Sequence, residues 1–356
     1  MTYSAGLELD IEKCIELEYI PTDPHNTGGT TTVVFIFKSV RLKTLTEIGS
    51  TFNSGHINCL VPIFFFLPSY KLNMSTSSTS RFRTRFVQRE PLRQRMRKGE
   101  TLTGSFVFLP SPSIIEILSE AGLDFFIVDQ EHAPKSWETV ENMVRAADIY
   151  GIPVVVRVHE NTPQTILHAL EVGATGIAVP FVETVDDVKA ASQAARYAPA
   201  GLRGTCTQTR AARHGAFRKE YTAYAAAKNE DVVIIGLIEN QVGVANIEQI
   251  LAVPDGVDAV LLGRADIAND LGKPGMSGDP TVVAACDKIL SAVRSETSRR
   301  AKDMGMACIT AIYGPTDVAY WKERGSHIFV APSESSMLLD AASTWRQDVK
   351  AAADKS

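Results

Sequence analysis

From residue 102 onward, eight short apolar runs alternate with longer stretches, most of them of helical spacing. The runs lie at 104–109, 125–129, 153–158, 176–182, 232–238, 259–262, 307–310 and 328–331. Helical stretches stand between them at 136–150, 163–173, 185–197, 244–251, 281–304 and 315–325, and 335–353 supplies a last helix. A run that is apolar at every position, rather than every second one, is a strand buried on both faces. A parallel sheet covered by helices meets that condition. Eight such strands in about 250 residues predict a (β/α)8 TIM barrel, an α/β fold. A doubly wound open sheet is the alternative, but no GxGxxG turn follows the first strand.

The chain of 356 residues is longer than the barrel needs. Residues 1–73 show no sustained period of 3.6 or 2, and Met74 opens a Ser/Thr-rich stretch that resembles a fresh start. The expected division is therefore an N-terminal extension over 1–80, either poorly ordered or a gene-model artefact, followed by a barrel domain over 81–356. Arginines crowd residues 81–97. A Ser/Arg-rich start resembles a transit peptide, yet 91–99 also reads as a short helix. Leu92 and Met96 stand at i, i+4 and Gly99 serves as the C-terminal stop. The helix is the preferred reading, with its basic residues on a solvated face.

Composition narrows the classes of function. Hydrophobic residues make up 45% and charged residues 22% of the chain, which excludes a mainly disordered or fibrous protein. The net charge of -5 argues against nucleic acid or an anionic membrane as the main partner. The five cysteines (Cys14, Cys59, Cys206, Cys286, Cys308) are odd in number and form no CxxC, so they read as reduced thiols of a cytoplasmic protein. The longest apolar stretch, 60–67, contains Pro62 and is too short to span a bilayer.

In a barrel of this kind chemistry gathers where strands end and loops begin. Strand two ends in Asp129, Gln130, Glu131, His132, Ala133 and Pro134; strand three in Arg157, His159, Glu160 and Asn161; strand five in Glu239 and Asn240; strand six in Gly263, Arg264, Ala265 and Asp266. Glu239 and Asp266 are carboxylates on neighbouring strands and suit a hard divalent cation that keeps several waters. Either also reads as a helix cap or a surface acid. Asp129 stands close enough to His132 to orient its imidazole for proton transfer, unless His132 is a loop histidine without a role. Arg157 ends an apolar strand, where a cation needs a ligand or a structural ion pair. Arg203 and Gly204, with Arg210, Arg213 and Arg218 beyond, read as carboxylate holders or as a solvated loop. Trp137, Trp321 and Trp345 fall on helical patterns and read as core or subunit contacts.

The strand ends Asp129-x-Glu131-His132-Ala133-Pro134, Arg157, Arg203-Gly204, Glu239 and Gly263-x-Ala265-Asp266 together resemble the HpcH/HpaI aldolase family, over about residues 90–350. Within that family, the arginine-rich lead, the stretch 111–115, the stretch 206–211 and 263–267 look most like its fungal macrophomate-synthase branch. The resemblance implies a metal-dependent carbon–carbon lyase acting through a pyruvate enolate. It implies Mg²⁺, or Mn²⁺ or Co²⁺, held by Glu239 and Asp266, an enolate stabilised by Arg157, and protons moved by His132 with Asp129. It further implies a substrate pocket of Arg157, Gly263, Arg264 and Ala265. The expected substrates are pyruvate or oxaloacetate with an aldehyde or 2-pyrone acceptor, and the expected assembly is a homo-oligomer, a hexamer. Arg264 stands where bacterial members usually carry proline, which bears on the acceptor. Two other readings stay open: an acyl-ester lyase of the citrate lyase β-subunit type, and a catalytically silent oligomeric barrel.

Overall fold

Each apolar run becomes a strand because the closed sheet offers it two dry faces. The computed structural model describes residues 90–300, 305–312 and 314–354. The expected extension over 1–80 lies outside the described residues. The strands are β1 (Leu102–Val107), β2 (Phe125–Asp129), β3 (Val154–Arg157), β4 (Gly176–Val179), β5 (Val233–Ile238), β6 (Ala259–Leu262), β7 (Ala307–Ala311) and β8 (Ile328–Ala331). All neighbours pair in parallel, in chain order, and β8 returns to β1 to close the barrel. The fold is the predicted (β/α)8 barrel.

Side chains alternate between the two faces of every strand, so the core has two parts. Phe125, Ile127, Val155, Ile235, Leu261 and Ile309 fill the barrel interior. Phe126, Val128, Val156, Ile234 and Val260 pack outward under the helices. Gly104 leaves room for the Phe125 ring, since a Cβ there would stand 2.7 Å from it.

The helices are α1 (Leu92–Arg97), α2 (Pro112–Glu120), α3 (Trp137–Tyr150), α4 (Pro163–Glu171), α5 (Val185–Ala195), α6 (Tyr221–Asp231), α7 (Gln241–Leu251), α8 (Arg264–Asp270), α9 (Pro280–Arg299), α10 (Thr316–Glu323) and α11 (Glu334–Ala353). Caps set several starts: Ser136, Thr162, Asn240 and Ser333 each accept a backbone N–H of the first turn.

Helix α1 closes the N-terminal end of the barrel, with Leu92 and Met96 buried in the interior cluster and Gly99 at φ 71° ending it. Its arginines correct the solvated-face expectation. Arg93 Nε lies 2.7 Å and Arg97 Nη2 3.0 Å from the buried Asp258 carboxylate, while Arg95 pairs with Asp124 and Glu100 at 2.8 Å each. Sequence spacing showed the apolar face of α1 but not the acids waiting under the other.

Candidate active site

The C-terminal ends of the strands form one mouth, and the polar residues reach it in a definite order. Asp129 and Arg157 are the last residues of β2 and β3 and stand opposite each other in register. They share the inward face with Ile127 and Val155, so both point along the barrel axis at its top. Asp129 is fully buried. Arg157 donates from Nε to Asp129 Oδ1 at 2.6 Å, and its Nη1 lies 3.2 Å from Glu131 Oε2. The guanidinium also sits 4.8 Å over the Phe106 ring. The ion-pair reading of Arg157 holds, and the pair stands at the mouth.

The structure corrects the expected link between Asp129 and His132. Asp129 accepts the main-chain N–H groups of Glu131 and His132, each at 3.1 Å. It therefore shapes the loop after β2 and holds Arg157, while the imidazole points away. That imidazole is 60% exposed, and its Nε2 lies 3.7 Å from Glu131 Oε2. The sequence separation of three allowed the side-chain contact. The tight turn uses both carboxylate oxygens on backbone instead.

Glu239 follows β5 directly and is buried. Its Oε2 accepts the Phe181 N–H at 2.8 Å. Burial pushes its pKa up to about 7, the Phe181 hydrogen bond opposes this, and the nearby Asp266 and Glu131 carboxylates add to it. Gly263 makes space for the Glu239 side chain, because a Cβ at residue 263 would fall 2.4 Å from Glu239 Cγ. Asp266 sits in the first turn of α8, half-buried. Glu131 is likewise pushed up by burial, with Arg157 opposing.

The donor set fits a divalent cation. Arg157 pairs with Asp129 and Glu131, and burial, with the Asp266 and Glu131 charges adding to it, raises the pKa of Glu239, so this end of the barrel is rich in carboxylates. Among the described residues no three His, Cys, Asp or Glu side chains converge as a complete ligand cluster. Glu239 and Asp266 are the two of these carboxylates that would hold a divalent cation if one is bound, the rest of its coordination falling to oxygens from outside the chain.

Other predicted residues take different places. Arg264 donates to the Ala311 carbonyl at 2.5 Å, at the end of β7, and its guanidinium lies 4.8 Å over the Trp321 ring. Ala265 is exposed beside it. His159 and Glu160 are exposed and pair with each other at 3.6 Å. Arg203 is buried and stacks 4.5 Å over Tyr197, in an aromatic cluster with Tyr221 and Tyr224, not in a solvated loop. Trp321 is buried, whereas Trp345 is exposed.

Three contributions carried no assigned role in the sequence. Glu131 braces Arg157. The Phe181 N–H is presented by a residue at φ 49°. Lys135 donates to the Asp129 carbonyl at 2.5 Å, with its pKa lowered by burial. A backbone donor in a left-handed turn leaves no mark in side-chain chemistry, so only Glu131 and Lys135 were visible as types.

Residues 102–318 match the family model of HpcH/HpaI aldolase/citrate lyase. A 2-dehydro-3,6-dideoxy-6-sulfogluconate aldolase of Pseudomonas putida is 32% identical over 239 residues, covering 67% of this chain and 89% of that protein. A pyruvate aldolase of Rhizobium etli is 34% identical over 202 residues, covering 57% and 78%. The solved structure of macrophomate synthase superposes with a TM-score of 0.62 at 23% identity, over 80% of this chain and 99% of the other, a likeness of fold. Among the described residues no helix is long and apolar enough to cross a membrane.

Proposed function

The chain belongs to the HpcH/HpaI aldolase/citrate lyase family, and we propose that it is a metal-dependent class II lyase making or breaking carbon–carbon bonds through a pyruvate enolate. The observation that carries this reading is the buried Glu239, with a pKa pushed up to about 7, beside Asp266 and across the mouth from Arg157. A divalent cation, Mg²⁺ by preference with Mn²⁺ or Co²⁺ as substitutes, would be held by Glu239 and Asp266 and would supply Lewis-acid polarisation of an α-keto oxygen.

The chain's own residues do the rest. Arg157 is held rigid by Asp129, Glu131 and the Phe106 ring. A fixed cation at a dry site stabilises developing enolate charge without reorganising, typically worth a few kcal/mol. From oxaloacetate the enolate forms as CO₂ leaves; from a hydroxy-keto acid it forms as an aldehyde leaves. His132, exposed at the rim with Glu131 beside it, is placed to move a proton between solvent and the reacting carbon. Gly263 leaves room for the Glu239 side chain, and Gly263, Arg264 and Ala265 are the proposed substrate contacts beside it. Arg264, in place of the proline usual in bacterial members, fits the macrophomate-synthase type, and the proposed acceptor is an aldehyde or a 2-pyrone.

The proposed assembly is a homo-oligomer, a hexamer, in the cytoplasm. Every residue of α11 from Met337 to Ala353 is exposed, including Leu338, Leu339, Trp345 and Val349. An apolar helix face of that length is what subunit contact covers. Sedimentation velocity on the purified chain tests it, and a monomer would overturn it.

Decarboxylation of oxaloacetate with Mg²⁺, with and without chelator, tests the enzyme reading. The expected result is turnover well above that of free metal ion, lost on chelation. Turnover equal to the free ion would overturn the proposal. Turnover of a coenzyme A thioester but not the free acid would place the chain with the acyl-ester lyases instead.

A further inference from the structure

The end of the barrel away from the mouth holds a second feature. A cavity of about 420 Å³ opens there between α1, the C-terminal halves of α5 and α6, and the loop after α7. Arg93, Arg196 and Lys189 line it, with Glu230 and Asp255 on the same walls. Asp258, which anchors Arg93, immediately precedes β6, and Gly263 of the mouth immediately follows it. The two sites therefore lie at opposite ends of that strand, roughly 16 Å of β-backbone apart.

Two buried guanidiniums in this cavity are incompletely used. Arg196 is only 3% exposed. Its Nη1 donates to the Ser192 hydroxyl, and its Nη2 is buried with no hydrogen-bond partner. Arg93 is 6% exposed. It donates from Nε to Asp258 and from Nη1 to the carbonyls of Asn229 and Glu230. Its Nη2 is likewise buried and unbonded, with Asp255 Oδ1 no nearer than 4.0 Å.

A buried guanidinium donor left without an acceptor is costly, and arginine cannot shed its charge to escape. Burial, and then the Arg93 and Arg97 cations, act against the charged form of Arg196, with the Asp258 and Asp255 carboxylates opposing them in part. An oxyanion between them relieves both penalties, because its oxygens match the fork of guanidinium N–H groups. The polar Gln193 and Asn229 and the apolar Val253 and Pro254 leave room for the body of a small molecule behind the anionic group.

We propose that this cavity binds a small molecule through a phosphate or carboxylate group held by Arg196 and Arg93, with Lys189 at the rim, as a ligand site separate from the barrel mouth. It does not depend on which reaction the mouth catalyses.

The test is isothermal titration of the full chain with inorganic phosphate and, separately, with succinate. Wild type, Arg196→Gln and Glu239→Gln are compared, with melting temperature as the folding control. The expected result is saturable binding of at least one anion in wild type and Glu239→Gln alike. Arg196→Gln should weaken it about tenfold or more, the loss typical of a hydrogen bond to a charged group. The stronger probe tells a phosphate ligand from a carboxylate one. Equal affinity in wild type and Arg196→Gln would overturn the proposal, as would loss in Glu239→Gln alone or no saturable binding of either anion. Should Arg196→Gln fail to fold, Lys189→Gln on the exposed rim is the deciding variant. It should weaken binding severalfold, and an unchanged affinity would overturn the proposal.

Discussion

Asp129 and Arg157 end neighbouring strands in register, and the 2.6 Å bond between them links two loops of the mouth through one buried charge pair. Both side chains are nearly inaccessible to water. Removing Asp129 leaves Arg157 buried with Glu131 as its remaining ion-pair partner and strips the Glu131 and His132 N–H groups of their acceptor, a loss of about 3–5 kcal/mol. Asp129→Ala is therefore expected to lose stability of that order in a denaturant titration. The double variant Asp129→Ala/Arg157→Met should recover part of it. A loss below about 1 kcal/mol in the single variant would show that water reaches the pair.

If Glu239 is a metal ligand as proposed, metal binding should depend on pH. Its folded pKa, about 7, lies above the usual carboxylate value, so between those values the folded state without metal holds a proton that the unfolded chain has lost. Stability without metal therefore falls as pH rises through this window and levels off above about 7. A cation must displace that proton, so affinity for Mg²⁺ should drop as pH falls below about 7. Calorimetry near pH 6 in buffers of different ionisation enthalpy should show proton release in wild type and little in Glu239→Gln. Equal release in both would remove Glu239 as the titrating ligand.

Gly263 positions Glu239 by having no side chain. A Cβ at residue 263 would meet Glu239 Cγ at 2.4 Å and the Ile238 carbonyl at 3.0 Å, and the second neighbour is backbone that cannot swing aside. Gly263→Ala is expected to push the carboxylate from its place and weaken Mg²⁺ affinity by about tenfold or more, as for a disturbed metal-site support. Calorimetry of the folded fraction checks this. A drop in melting temperature with unchanged metal affinity would make Gly263 a packing residue alone.

The barrel was legible because its strands are apolar at every position, a pattern that only a sheet buried on both faces imposes. Boundaries were less so. The run at 176–182 continues apolar past Val179, yet β4 stops there, because Pro180 has no N–H for the ladder and Phe181 turns to φ 49°. Helix α6 went unseen because its alanines and charges show no apolar face; it buries only Tyr224 and Ala227. Glu239, Asp266, Arg157 and Asp129 were legible as strand-end polar residues. The bracing by Glu131, the Phe181 donor and the main-chain role of Asp129 arise from loop geometry, which residue type does not encode. The ion pairs of α1 join residues 93 and 258, too distant in sequence for any local pattern to connect.

His132 and Arg157 are expected to act at different points on one path. Arg157 stands fixed at the mouth and should stabilise the enolate whichever bond breaks to form it. Arg157→Ala should therefore depress oxaloacetate decarboxylation and carbon–carbon bond formation together, by roughly 10²–10³-fold if it behaves like a lost oxyanion donor. His132 hangs at the rim, 60% exposed, with Glu131 Oε2 3.7 Å from its Nε2. It should matter where a proton moves, as in exchange of the pyruvate methyl protons or retro-aldol cleavage. Decarboxylation forms the enolate without any base, so His132→Ala should spare it. The informative quantity is the ratio of proton exchange to decarboxylation in each variant, because that ratio cancels differences in folded fraction. It should fall by about 10²-fold or more in His132→Ala and stay near wild type in Arg157→Ala. Equal losses of both rates in His132→Ala would leave the imidazole as a positioning residue. In that event Glu131, which lies between the imidazole and the guanidinium and whose pKa burial raises, becomes the next base to test by Glu131→Gln.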